Sequence, residues 1–329
     1  VKKLHLTVAT DDYDHFRDFR LGRVQAEGIE TTWLCMDIHE VFARFAANRE
    51  WDVSELSFAK FVAQVTDDDP DIIGLPVFAS RMFRLSSFYI NNKSGIKTAA
   101  DLRGKKVGLP EWAQTAAVYT RGWLQHDVGV PLTEIHWHQA GTEQPGRTEK
   151  VALNLPKGLQ LTRVTDKSLS GMLAAGELDC IMTARPPSCF TRKHPDVARL
   201  FPDFQGEEMR QFEQTHVYPI MHIIAVKRSV LKQHPWVARN LYNAFEESKN
   251  RSVERFTDMS VSRYPVPWLA DNVKKLQDRF GADLYPYGIE ANRPTLETFL
   301  RYAYEQGIAR QHAKPEDLFP EGIMVSVKV

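Results

Sequence analysis

YPIMHIIAVKRSVL, residues 218–231, is the stretch whose reading decides the fold. It begins as an apolar strand broken by a single polar residue, His222, and passes at Lys227-Arg228 into a helix start. Upstream lie two runs of strand–helix alternation. The first fills residues 1–90: strands at 4–10, 30–35, 51–53 and 72–79 alternate with helical patterns at 14–25, 38–45 and from 57 onward. The second fills 91–223, with strands at 106–109, 135–138, 159–162 and 179–183 and helices at 113–125 and 167–175. A strand is also predicted over 84–91. Such alternation implies largely parallel strands covered by helices on both faces. Downstream the chain is mainly helical, with predicted helices at 230–249, 267–280 and 294–306.

A strand that returns after a complete second unit means that the second unit is inserted into the first. The expected architecture is therefore two-lobed α/β with mixed sheets and an interlobe cleft. One lobe is 1–90 plus 224–329 and the other is 91–223, with crossings near Asn91 and 222–226. Ligands of such sheets bind beyond the carboxyl ends of the strands, where helices begin.

Composition narrows the function classes. The 329 residues are 43% hydrophobic and 26% charged, which fits a globular chain rather than a disordered or coiled-coil one. Lys+Arg and Asp+Glu both number 42, so no net basic charge points to nucleic acid. A local basic pocket for a small anion remains compatible with that balance. No apolar run approaches the roughly 18 residues of a membrane helix. The N-terminal VKKLHLTVATDD has no apolar core of a signal peptide, so the expectation is a cytoplasmic protein with no membrane partner. Homo-oligomerisation stays open. Cys35, Cys180 and Cys189 form neither a metal motif nor a disulfide framework and read as small core residues or free thiols.

The strand ends are polar. Tyr13 follows the first strand, Ser54 and Glu55 the third, and Arg81 and Arg84 the fourth; Trp112 and Thr115 stand at a helix start. Arg185 follows IMTA, and His216, Tyr218 and His222 surround the return strand. Each has a plain structural reading: arginines pair with surface acids, Thr115 packs against the other lobe, and His222 is a satisfied core histidine. Together they suit a small anionic aromatic ligand. Guanidinium forks match carboxylates, amides at the 113–116 helix start offer a second anion seat, and aromatic rings cover a ring. GxGxxG, GxxxxGK[ST] and GxSxG are all absent. His136-x-His138 is the start of a metal site that Glu134 or Glu143 would have to complete.

DVSELSFAKF (52–61), FRLSSFYINNKSGI (83–96), DLRGKKVGLPEWAQTAAVYTRGWL (101–124) and PIMHIIAVKRSVLKQHPWVA (219–238) resemble the type 2 periplasmic-binding-protein fold. EQPGR (143–147), IMTARPP (181–187) and YPYGIEANRPTLETFLRYAYEQGI (285–308) extend the resemblance over nearly the whole chain to the 4,5-dihydroxyphthalate decarboxylases and their relatives in aromatic-acid catabolism. The resemblance implies a lyase of phthalate degradation that removes one carboxyl group to give protocatechuate and CO2. An organic cofactor is not expected, because the catechol ring itself serves as electron sink, and a divalent metal is left open. For such a reaction the residues suggest His222 as proton donor and Glu55 as base or hydroxyl-orienting group. Arg84 and Arg185 would anchor carboxylate, with Arg81 and Thr115 in support. Tyr13, Ser54, Tyr218, His216 and Trp112 complete the candidate set. The competing reading is a solute-binding protein for an aromatic or organic acid, for which arginines alone would suffice. A thiamin-pyrimidine synthase, built on the same fold, would need a CCCFC motif that the chain lacks.

Overall fold

A computed structural model describes residues 2–324. The first strands and helices are β1 (Leu4–Thr10), α1 (Asp14–Arg20), β2 (Ile29–Cys35), α2 (Ile38–Asn48), β3 (Val53–Ser57), α3 (Phe58–Val65) and β4 (Ile72–Arg81). The chain then builds β5 (Phe88–Asn91), β6 (Lys106–Leu109), α4 (Thr115–His126), β7 (His136–Gln139), β8 (Gln160–Arg163), α5 (Leu169–Ala174), β9 (Cys180–Met182), α6 (Ser188–Thr191), β10 (Val197–Arg199) and α7 (Phe204–Thr215). It returns through β11 (Ile220–Lys227) into α8 (Arg228–Gln233), α9 (Val237–Thr257), α10 (Leu269–Phe280), α11 (Arg293–Glu305) and α12 (Glu321–Met324).

Two mixed sheets result. The first has the order β2-β1-β3-β11-β4 and the second β10-β5-β9-β6-β7-β8. β1, β2 and β3 are parallel, and β11 runs antiparallel between β3 and β4. The boundaries expected at 90/91 and 223/224 cut through strands: β5 lies wholly in the second sheet and β11 wholly in the first. The outermost residues of the N- and C-terminal spans, 1 and 325–329, lie outside the described residues.

Local chemistry explains where elements differ from the sequence reading. The helix expected over 14–25 stops at Arg20, because Gly22 takes a left-handed φ of 71° that an α-helix cannot hold. The helix expected over 230–249 is two helices, since Pro235 lacks an N–H and disfavours helix in the residue before it. The strand expected from 84 begins only at Phe88. Glu208 accepts hydrogen bonds from the amides of Leu85 (2.7 Å) and Ser86 (3.4 Å), and this segment forms a 3₁₀ turn. The polar helix α7 has a weak apolar stripe and is started by Asp203, whose carboxylate accepts from the Gly206 amide.

Alternation along β3 and the register of β11 bring the site together. Glu55 faces Ile224 and Ser57 faces His222 across the antiparallel pair, so Glu55 and His222 are diagonal neighbours on one face. Between His222 and Ile224 the β11–β4 register slips, and Pro76 sits in that stretch of the edge strand, where a missing N–H costs least.

Candidate active site

Glu55 is 0% exposed, yet its carboxylate is hydrogen-bonded throughout. Oε2 accepts from the Asp11 amide at 2.9 Å, Oε1 accepts from the Tyr13 hydroxyl at 2.6 Å, and Oε1 lies 2.7 Å from His222 Nδ1. The turn from β1 into α1 thus wraps the end of β3, and the buried charge is satisfied. A carboxylate only accepts, so Nδ1 carries the proton and Nε2 is the nitrogen left over. The His222 side chain is 22% exposed, and Phe42 of α2 meets its ring edge-on at 5.0 Å between centroids. Burial, followed by the Glu55 charge, raises the Tyr13 hydroxyl far above the ordinary phenol range, so it remains a donor.

One turn before Phe42 on α2 stands His39. Burial and then Arg185, with further contributions from Arg147 and Lys150, lower its pKa. Those three cations belong to the second sheet's side: Arg185 follows β9, and Arg147 and Lys150 lie on the chain between β7 and β8. His39 and Phe42, three residues apart, share a face of α2. The arrangement is an imidazole held by a buried acid.

The remaining candidates are elsewhere, each for a visible reason. The Ser54 hydroxyl points to the opposite face of β3, where it accepts from Trp51 Nε1 (2.8 Å) and donates to the Glu55 carbonyl. The Trp112 ring is 0% exposed, donates from Nε1 to the Gln306 carbonyl at 2.8 Å and carries the Arg121 guanidinium on its face at 3.7 Å. It is a core residue rather than a wall of the cleft. The Thr115 hydroxyl oxygen accepts from the Ala59 amide and meets the Ser57 hydroxyl, both at 3.0 Å, and so joins the starts of α3 and α4. The anion seat expected at 113–116 holds a side chain of this same protein: Glu149 accepts from the amides of Trp112 (2.6 Å) and Ala113 (3.3 Å).

Arg81 is buried and turned towards the C-terminal segment, donating to the Pro286 carbonyl (2.9 Å), the Tyr218 carbonyl (3.3 Å) and Asn292 Oδ1. Arg84 contacts Met221 Sδ and the Ala184 carbonyl, next to a 340 Å³ cavity that it lines with Trp123 and Tyr302. Met221 and His222 project from opposite faces of β11, so Arg84 does not share the His222 site. The Tyr218 ring stacks on Phe83 at 5.0 Å beside a 530 Å³ aromatic-lined cavity that also borders Tyr13. His216 is the exposed left-handed C-cap of α7, with φ 54°.

Glu55 therefore cannot act as a base on a ligand in the cleft, as expected from its strand-end position; it works through Tyr13 and His222. Neither proposed carboxylate joins His136 and His138: Glu134 pairs with Arg103, and Glu143 accepts from the Ser188 amide and hydroxyl. Among the described residues, no three His, Cys, Asp or Glu side chains gather in a metal-binding group. Sequence reasoning missed His39, Arg147 and Lys150. The available signal was the long connection between β7 and β8, since irregular loops beyond about 12–15 residues are usually functional.

The two mixed sheets with a site at their strand ends define a periplasmic-binding-protein-like fold. The aliphatic sulphonate binding protein SsuA of Escherichia coli shares this fold at 12% identity and a TM-score of 0.53, covering 97% of this chain and 98% of that one. No protein-family model matches the chain. A 4,5-dihydroxyphthalate decarboxylase of Comamonas testosteroni is 34% identical over 330 residues, spanning 100% of both chains. One of Pseudomonas putida is 39% identical over 207 residues, 63% of this chain and 80% of its own. The chain belongs to the 4,5-dihydroxyphthalate decarboxylase family, and it is an enzyme of the carboxy-lyase class. Among the described residues no helix is long and apolar enough to cross a membrane.

Proposed function

We propose that the protein removes one carboxyl group from 4,5-dihydroxyphthalate, giving protocatechuate and CO2, with His222 as the proton donor. The observation that carries this is the Tyr13–Glu55–His222 constellation: a buried carboxylate fixes Nδ1 at 2.7 Å and leaves Nε2 without a partner among the described residues. A protein that only bound the acid would have no use for that arrangement. Each carboxyl of the substrate lies para to a hydroxyl, which feeds electron density onto the carbon bearing the carboxylate. His222 Nε2–H protonates that carbon, the bond to the carboxylate breaks, and its electron pair restores the aromatic ring as CO2 departs. His222 enters this step protonated on both nitrogens; having given up Nε2–H it is neutral, keeps Nδ1–H hydrogen-bonded to Glu55, and regains the Nε2 proton from water. Glu55 and Tyr13 are positioning residues, and Arg185 is a candidate anchor for a substrate carboxylate. The substrate's own catechol ring holds the developing charge. The reaction runs in the cytoplasm on a small aromatic di-acid.

The test is direct. Purified protein incubated with 4,5-dihydroxyphthalate should release CO2 and protocatechuate in equal amounts. Binding of the di-acid without product would reduce the protein to a binder and overturn the assignment.

A further inference from the structure

A second charged network crosses between the two halves, from α3 to the β7–β8 connection. Glu111, in the turn between β6 and α4, is 1% exposed. Its Oε1 accepts a hydrogen bond from Arg147 Nε at 2.8 Å and lies 2.7 Å from Nη2 of the same guanidinium in an ion pair. Its Oε2 lies 3.0 Å from Lys60 Nζ on α3. Burial pushes the Glu111 carboxyl up, but the Lys60 and Arg147 charges outweigh it and hold the group below its ordinary range. Glu111 is thus an anion fixed between a cation from the first sheet's helices and one from the β7–β8 connection.

Arg147 is not consumed by this pairing. Its side chain remains 34% exposed, Nη1 has no partner among the described residues, and its charge still reaches His39 together with Arg185 and Lys150. Two further contacts tether the connection: Glu149 on the Trp112 and Ala113 amides, and the Asn154 amide donating to the Gly307 carbonyl at 2.8 Å. Glu111 accordingly grips the Nε edge of the guanidinium and leaves the Nη1 end of a planar fork available to a ligand. A fork held in this way pays little rotamer entropy when it meets a carboxylate.

We propose that Arg147, aimed by the Glu111–Lys60 pair, binds the carboxylate that an aromatic dicarboxylate keeps through the reaction, making Arg147 a substrate-anchoring residue and Glu111 its positioning residue. This rests on the decarboxylase reading above, and binding of a non-reactive di-acid separates the two. Calorimetric titration with phthalate, alongside turnover of 4,5-dihydroxyphthalate, supplies the measurement. Arg147→Ala should weaken phthalate binding at least about tenfold, and Arg147→Lys, which keeps the charge but not the fork, should restore part of that loss. Glu111→Gln should raise KM about three- to tenfold and leave kcat within about twofold, a split that loss of folded protein alone would not produce. If Arg147→Ala does not fold, Arg147→Gln serves in its place. Phthalate affinity within twofold of the unmodified protein in the arginine variants, or no phthalate binding by the unmodified protein, overturns the proposal. Absence of turnover with phthalate binding and its Arg147 dependence intact would instead overturn only the decarboxylase reading.

Discussion

Arg81 and His222 stand at neighbouring rungs of the β4–β11 pairing, and both are polar residues placed at strand ends in an apolar setting. They have opposite fates. Arg81 is enclosed by the Phe78, Tyr218 and Tyr285 rings, with its guanidinium carbon 5.0–5.6 Å from their centroids, and its acceptors are two backbone carbonyls and the Asn292 amide. It ties the first sheet to the segment that leads into α11. His222 has one nitrogen fixed by a buried carboxylate and the other left without a partner among the described residues. The lesson is that residue type and strand-end position do not separate a fastener from a reagent. The direction of the unused hydrogen-bonding group does.

The largest expected effect breaks that contrast at its reactive end. His222→Asn keeps a donor and similar size but supplies no proton at neutral pH, so kcat should fall by roughly 10²–10⁴. Phthalate affinity and the thermal midpoint should stay near those of the unmodified protein. A folded variant within a few-fold of full kcat would remove His222 from the chemistry. Arg81→Leu tests the other end. It strands the Pro286 and Tyr218 carbonyls, and stability should drop by roughly 2–4 kcal/mol in denaturant titration while kcat per folded molecule changes little. A stable variant with lost phthalate binding would return Arg81 to the site.

The smallest effect concerns Glu111 and depends on pH. Its folded-state pKa lies below its ordinary value of 4.5, so the native protein binds this proton more weakly than the unfolded chain. Its stabilisation is then complete above that value and is lost as pH falls through the lower folded-state pKa. The stability gap between the unmodified protein and Glu111→Gln should therefore be widest near neutrality and narrow on acidification. A gap independent of pH would show that the Glu111 charge contributes nothing.

Much of the fold was legible because periodicity is local. LHLTVAT, IIGLPVFA and PIMHIIAV read as strands and form strands, and the switch at Lys227-Arg228 falls where β11 gives way to α8. Element ends were less legible where a distant group set them, as Glu208 does at Leu85 and Ser86. Within the candidate site, Tyr13, Glu55 and His222 were nameable from strand-end position. Ser54 and Trp112 were named by the same rule and turned out to be packed inward. Arg147 escaped because its partner Glu111 lies 36 residues away and neither residue sits in a periodic pattern.

The sequence by itself determined the strand–helix alternation and the family, because these rest on side-chain pattern along the chain. Only the tertiary structure decided which polar groups meet. Strand alternation makes a one-residue difference, Ser54 against Glu55, the difference between two faces of a sheet. The β3–β11 register then brings Glu55 to a histidine 167 residues further on. Such contacts depend on register and burial, which the whole fold fixes and no local stretch encodes.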